Sequence, residues 1–224
     1  MIKHFIFTVT NGRSGQETLY NVLKSHSLNC HCTFEHPNIK PFLPNILGDI
    51  EKKLRRNFIQ TNELLGRGKV LQAFDAANVK YIEKVVRTKL KLFEIEANKN
   101  KSETYFDVSK YFIRGLHLGF NSLLKKYSLV FLVRDPLINM KSFLNRNKNF
   151  FLDNNLPSSN RNLLKMNPES FQKGEYYLWS WGEVYLRYKA MKVSKKVLYS
   201  EVLDTSDLNC VDKISNFFKK ININ

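Results

Sequence analysis

The sequence predicts an α/β protein: a single domain with a mostly parallel central sheet flanked by helices. Three observations carry that expectation. Short runs rich in β-branched and aromatic residues alternate with longer stretches whose apolar residues recur at helical spacing. One short run, Ser128-Leu129-Val130-Phe131-Leu132-Val133, is almost wholly apolar, the pattern of a strand covered on both faces. At 224 residues, with no internal repeat and no composition break to mark a boundary, one domain is the default.

Taken in order, His4 to Thr10 reads as a buried strand that ends at Asn11-Gly12. From Glu17 to about Lys24, Leu19, Val22 and Leu23 recur at helical spacing, and Cys30 to Phe34 suits a second short strand. Residues from about 43 to 56 and from 79 to 96 carry apolar positions at helical spacing between charges. Ile82, Val85, Val86, Leu90 and Phe93 form the clearest stripe, whose ordinary meaning is core packing. Thr104 to Val108 is expected as a strand and Phe112 to Lys126 as a helix. After the apolar strand, Pro136 starts a helix to about Asn145, with proline in its usual first-turn place. Residues 145–172, rich in Asn, Pro and Ser, read as a long surface loop or lid. A helix from Gly174 to Lys192, a strand from Lys195 to Tyr199 and a helix from Val211 to Lys220 close the chain.

Composition excludes several classes. Hydrophobic residues make up 43% and charged residues 25%, so the chain is not wholly disordered, collagen-like or a simple coiled coil. Its apolar runs are too short to span a bilayer. Met1-Ile2-Lys3-His4 leads straight into a strand, which leaves no room for a signal peptide, and a cytoplasmic location is expected. The 36 Lys and Arg exceed the 20 Asp and Glu by 16. Lysine supplies 26 of those cations, and Asn and Ile are abundant, as an AT-rich genome alone would produce. The excess is either that drift or a footprint for nucleic acid or membrane; in both cases it favours an anionic ligand. Three cysteines, Cys30, Cys32 and Cys210, cannot close a disulfide framework and suit a reducing compartment. Cys30-His31-Cys32, with His26 and His36 nearby, lacks zinc-finger spacing and reads as a strand with two buried thiols; no metal is expected.

Chemistry concentrates where the first strand feeds the first helix. Thr10-Asn11-Gly12-Arg13-Ser14-Gly15-Gln16-Glu17-Thr18-Leu19 sets two glycines, a cation and hydroxyls in that turn. Such a turn aims successive N–H groups and a helix N-terminus at a phosphate. It is not a Walker A loop, because Gly-Lys-Ser/Thr after four intervening residues is missing. A second element stands at the end of the apolar strand: Arg134-Asp135-Pro136, with Ser142 eight residues after Arg134. Guanidinium at a strand end and hydroxyl two helical turns later reach one anion.

Together these elements resemble the sulfotransferase family that uses 3′-phosphoadenosine 5′-phosphosulfate (PAPS), and the likeness runs in family order through nearly the whole chain. Phe106 to Phe112, Tyr177 to Glu183 and Ser200-Glu201-Val202-Leu203 also look like segments of that family. The resemblance implies a P-loop-like fold and a cofactor site. Gly12, Arg13, Ser14, Gly15 and Gln16 would hold the 5′-phosphosulfate, with Thr18 as a hydroxyl donor. Arg134 and Ser142 would hold the 3′-phosphate. Three departures from the pattern involve four positions. Gln16 and Glu17 replace the usual Thr or Ser, and Glu17 weakens anion binding unless it points away or pairs with a cation. Thr18 replaces the aromatic that stacks on adenine in cytosolic relatives. Ser200 stands where Tyr or Phe often precedes the glutamate.

The implied reaction moves a sulfuryl group from PAPS to a hydroxyl of a carbohydrate or other small-molecule acceptor, releasing 3′,5′-adenosine bisphosphate. It needs positioning, positive charge and a base, and no metal. Arg13 is the candidate for stabilising the leaving oxygen. Glu35, in Thr33-Phe34-Glu35-His36-Pro37, is the first candidate base and His36 the second. Ser109 and Lys110 follow a strand and are expected at the same crevice, Ser109 toward substrate and Lys110 as added charge at the sulfuryl group or a surface lysine. Trp179 and Trp181 read as core or lid packing, and Asp107 as structural. The alternatives are a P-loop nucleotide kinase or hydrolase, disfavoured by the missing Walker lysine, and a non-catalytic basic nucleic-acid-binding protein, supported by charge alone.

Overall fold

Five strands, β1 (His4–Val9), β2 (Cys30–Phe34), β3 (Thr104–Val108), β4 (Tyr127–Val133) and β5 (Val197–Asp204), form one sheet in the order β2-β3-β1-β4-β5. Every neighbouring pair is parallel. The computed structural model describes residues 2–26, 29–37, 43–58, 61–145, 155–166, 172–207 and 209–221. Nine helices lie in the described residues: α1 (Gln16–His26), α2 (Asn45–Phe58), α3 (Thr61–Leu65), α4 (Lys69–Asp75), α5 (Val79–Lys99), α6 (Leu116–Leu123), α7 (Pro136–Leu144), α8 (Lys173–Lys192) and α9 (Cys210–Lys220). None is long and apolar enough to cross a membrane.

Parallel crossovers are right-handed, so connections running in opposite directions along the sheet must use opposite faces. Only β1 to β2 runs toward one edge; β2 to β3, β3 to β4 and β4 to β5 all run toward the other. The packing obeys this rule. Ile82, Val86 and Phe93 of α5, Phe120 of α6 and Val184 of α8 pack with Phe7, Tyr105 and Phe131 on one face. Leu19 and Leu23 of α1, with Ile214 and Phe217 of α9, pack with Ile6, Phe106 and Val130 on the other. Because α1 leaves β1 on the face opposite to the neighbouring connections, the carboxyl end of β1 is a topological switch point, the place where such sheets bind ligands.

Sequence and structure differ in four places. The expected helix from Phe112 to Lys126 is a 3₁₀ turn (Phe112–Arg114) followed by the shorter α6. It breaks at Gly115, where a Cβ would meet Val70 Cγ1 at 3.2 Å, and Gly119 lets α6 close onto Val86 of α5. Helices α3 and α4 were not expected, since each is under three turns and Gly66 and Gly68 separate them. Strand β5 runs on to Asp204, past the expected end at Tyr199. Finally, the described part of the expected surface loop, residues 155–166, is pinned to α8. Arg187 donates to Asn155 Oδ1 (2.9 Å) and Asn162 Oδ1 (3.0 Å), and Glu183 accepts from the amides of Leu163 and Leu164. Residues 146–154 and 167–171 of that loop lie outside the described residues.

Candidate active site

Pairing register brings the strand ends to one level. Val9 lies beside Phe131, and Phe34 beside Val108. Arg134 therefore stands three residues, roughly 10 Å, beyond the end of β1, next to the turn that leaves it. Glu35 continues β2, its N–H bonded to Val108 O at 3.1 Å.

The turn from Thr10 to Gln16 is wound by its own side chains. Thr10 Oγ1 accepts from Gly12 N (3.2 Å), and Ser14 Oγ donates to Gly12 O (3.2 Å). Gly12, Arg13 and Gly15 all have left-handed backbone, with φ of 97°, 59° and 78°. Four non-glycine residues among those described share that conformation, and two of them, Arg13 and Glu35, follow the carboxyl ends of β1 and β2. Side-chain residues pay about 1–2 kcal/mol for it, and such strain gathers at functional sites. The amides that open α1 have no partner within the helix, which leaves them for an anion.

Three neighbours fix the turn in place. Asn139 of α7 donates Nδ2–H to Ser14 Oγ (3.1 Å), Arg114 donates to Asn11 O (3.1 Å), and Ser180 of α8 donates to Asn11 Oδ1 (2.7 Å). All four of Asn11, Ser14, Arg114 and Asn139 are buried. Arg13 reaches across to the same helix, its Nε 3.4 Å from Ser142 Oγ. The loop after β1 and the helix after β4 thus meet. Arg134 is half-buried and, among the described residues, makes no hydrogen bond or ion pair. Tyr177 lies near both Arg134 and the turn: burial raises the phenol's pKa, while Asn11 and the charges of Arg114, Arg13 and Arg134 lower it.

Other expected residues fall differently. Lys110 Nζ pairs with Glu35 Oε1 at 2.7 Å, and its stem crosses Gly12, where an added Cβ would meet Lys110 Cδ at 3.1 Å. Gly12 thus lets a lysine over the turn and brings Glu35 with it. Gly15 is approached by Thr205 at the end of β5. Ser14 commits its hydroxyl inward, so its offer to an anion is its backbone N–H. Gln16 is buried against the turn, and its Nε2, itself buried, lacks a partner among the described residues. Glu17 and Thr18 are exposed on α1, and Glu17 favours the positive end of the helix dipole.

Two expectations are corrected. Ser109 does not face the crevice: it is buried, its N–H bonds Thr8 Oγ1 (2.7 Å), and its Oγ accepts from Tyr111 N (3.2 Å). It shapes the end of β3. His36 is also turned away, donating Nε2–H to Glu96 Oε1 (2.9 Å) while His31 donates to Glu96 Oε2 (3.3 Å). Those two hydrogen bonds hold Glu96 well below the usual carboxylate range. Beneath Glu35 lies the buried pair Lys89 Nζ–Asp107 Oδ2 at 3.4 Å, and Lys89 also donates to His36 O. Burial pushes both toward neutrality, Lys89 down and Asp107 up, against their mutual attraction.

Sequence reading missed Asn139, Arg114 and Tyr177. Asn139 had a signal, lying one helical turn before Ser142 on the same face; Tyr177 stood in a family-like segment without a role, and Arg114 had no signal, because only the tertiary fold brings it to Asn11. Trp179 is buried and donates Nε1–H to Leu164 O (2.8 Å), while Trp181 stacks on Tyr185 beside Arg134, along a groove of about 590 Å³.

No family model matches the chain, and no curated protein matches it significantly. What fold and site define is a parallel α/β protein with Arg13, Lys110 and Arg134 around the carboxyl end of its central strand.

Proposed function

We propose that this protein is a sulfotransferase that takes a sulfuryl group from PAPS and places it on a hydroxyl of a carbohydrate or other small-molecule acceptor. The observation that carries the reading is the meeting of the β1 turn with α7 through Arg13–Ser142 and Ser14–Asn139. It supports a P-loop-like site in which one nucleotide bearing two separated anionic groups spans both segments.

PAPS supplies the activated sulfuryl group and leaves as adenosine 3′,5′-bisphosphate. The turn amides and Gln16 Nε2 take the 5′ side, and Arg134 with Ser142 takes the 3′-phosphate. Arg13 answers the negative charge that grows on the bridging oxygen as its bond to sulfur breaks and the acceptor's oxygen–sulfur bond forms. Glu35, oriented by Lys110, receives the proton of the acceptor hydroxyl. Lys110 adds positive charge beside the turn.

Calorimetry tests the reading. Adenosine 3′,5′-bisphosphate should bind in the presence of a chelator and more tightly than Mg-ATP. Preference for Mg-ATP would assign the site to phosphoryl transfer instead, and salt-sensitive affinity for oligonucleotides alone would assign the charge to nucleic-acid binding.

A further inference from the structure

Helix α2 is amphipathic in the wrong direction for a helix that packs on a core. Ile46, Leu47, Ile50 and Leu54 recur at spacings of one, three and four, which gathers them on one stripe. They are 76%, 61%, 51% and 52% exposed, and Leu43 just before the helix extends the patch. None belongs to a hydrophobic cluster of the described residues. The inward positions are instead polar or small. Gly48 is buried, and Glu51 pairs with Arg55 (3.1 Å) while accepting from Leu43 N (2.9 Å). A continuous aliphatic stripe turned outward in this way marks a surface that something else covers.

We infer that α2 is the face by which this protein docks on an anionic membrane surface. Two observations favour lipid over other occupants. Among the described residues the stripe is aliphatic, with none of the Trp or Tyr anchors that dominate protein interfaces, whereas a bilayer asks only for apolar area with cations nearby. The sequence of α2 holds four Lys and Arg against Asp49 and Glu51, on a chain of net charge +16. That charge attracts an anionic leaflet and opposes association with a second copy. The docking is independent of the proposed reaction, so failure of either leaves the other standing.

The test is co-sedimentation with vesicles of mixed phosphatidylglycerol and phosphatidylcholine against vesicles of phosphatidylcholine alone. A protein of this charge adsorbs electrostatically in any case, so the decisive quantity is the binding that survives high salt. Wild type should retain it on the anionic vesicles. Ile46→Glu/Ile50→Glu, at exposed positions that do not disturb the core, should lower it on the order of tenfold or more. A tryptophan placed in the stripe, Leu47→Trp, should shift its emission to the blue when anionic vesicles are added, relative to wild type. Val193→Trp, at a position 83% exposed away from α2, should not. Equal salt-resistant binding by wild type and the Glu variant, or no shift at Leu47→Trp, overturns the inference. So does a concentration-dependent dimer that the Glu variant abolishes, which would give the stripe to a second copy.

Discussion

Arg187 and Arg134 show two uses of one side chain. Arg187, on α8, is buried, and its guanidinium is shared out within the protein. It donates to Glu183 Oε1 (2.6 Å), to Ile113 O (3.0 Å) and to the amide oxygens of Asn155 and Asn162, and it lies over the ring of Phe74. Burial pushes its pKa down and Glu183 pushes it back up, so the charge persists because every part of it is answered. Arg134 stands half-buried at the end of β4 with no hydrogen bond or ion pair among the described residues. Arg187 holds chain segments together; Arg134 answers no carboxylate or carbonyl among the described residues.

The largest effect that can break this comparison is on stability. Arg187→Ala should cost about 3–5 kcal/mol in urea unfolding, because it strands Glu183 and releases residues 155–166 to proteolysis. Arg134→Ala should stay within about 0.5 kcal/mol of wild type in the same experiment. Equal losses would mean that Arg134 is structural after all.

A second effect sharpens the comparison at the half-exposed Glu35–Lys110 pair. Glu35→Gln should lower turnover about a hundredfold and leave affinity for the bisphosphate unchanged. Full activity would move the proton acceptor elsewhere, and His36 would then have to leave Glu96 to serve.

The smallest effect is in pH dependence. His31 and His36 depress the folded pKa of Glu96, so the stability it adds is present above the ordinary carboxylate range. That stability is lost as pH falls below about 4.3. Unfolding midpoints at stepped acid pH should therefore fall less steeply for Glu96→Gln than for wild type. Parallel slopes would show that the cluster contributes nothing through ionisation.

Much of the fold was legible because the signals are local. The apolar run at β4, the stripe of Ile82 to Phe93 on α5 and Pro136 opening α7 each declare an element without reference to the rest of the chain. The turn after β1 was legible for the same reason. What escaped depends on tertiary contact. Gly115 and Gly119 break or tighten a helix only because Val70 and Val86 press against them. Ser109 and His36 follow strands at the right edge, but whether such residues face the crevice depends on Thr8 and Glu96, far away in sequence. Arg114, Asn139 and Tyr177 converge on the turn from three elements that no spacing rule connects.

The two-segment site is tested most directly by titrating wild type and Arg134→Ala, in parallel, with adenosine 3′,5′-bisphosphate and with adenosine 5′-monophosphate. If Arg134 holds the 3′-phosphate, its loss should weaken the bisphosphate by about 2–4 kcal/mol and leave the monophosphate untouched. Unchanged affinity for the bisphosphate, or an equal drop for both nucleotides, would contradict the assignment.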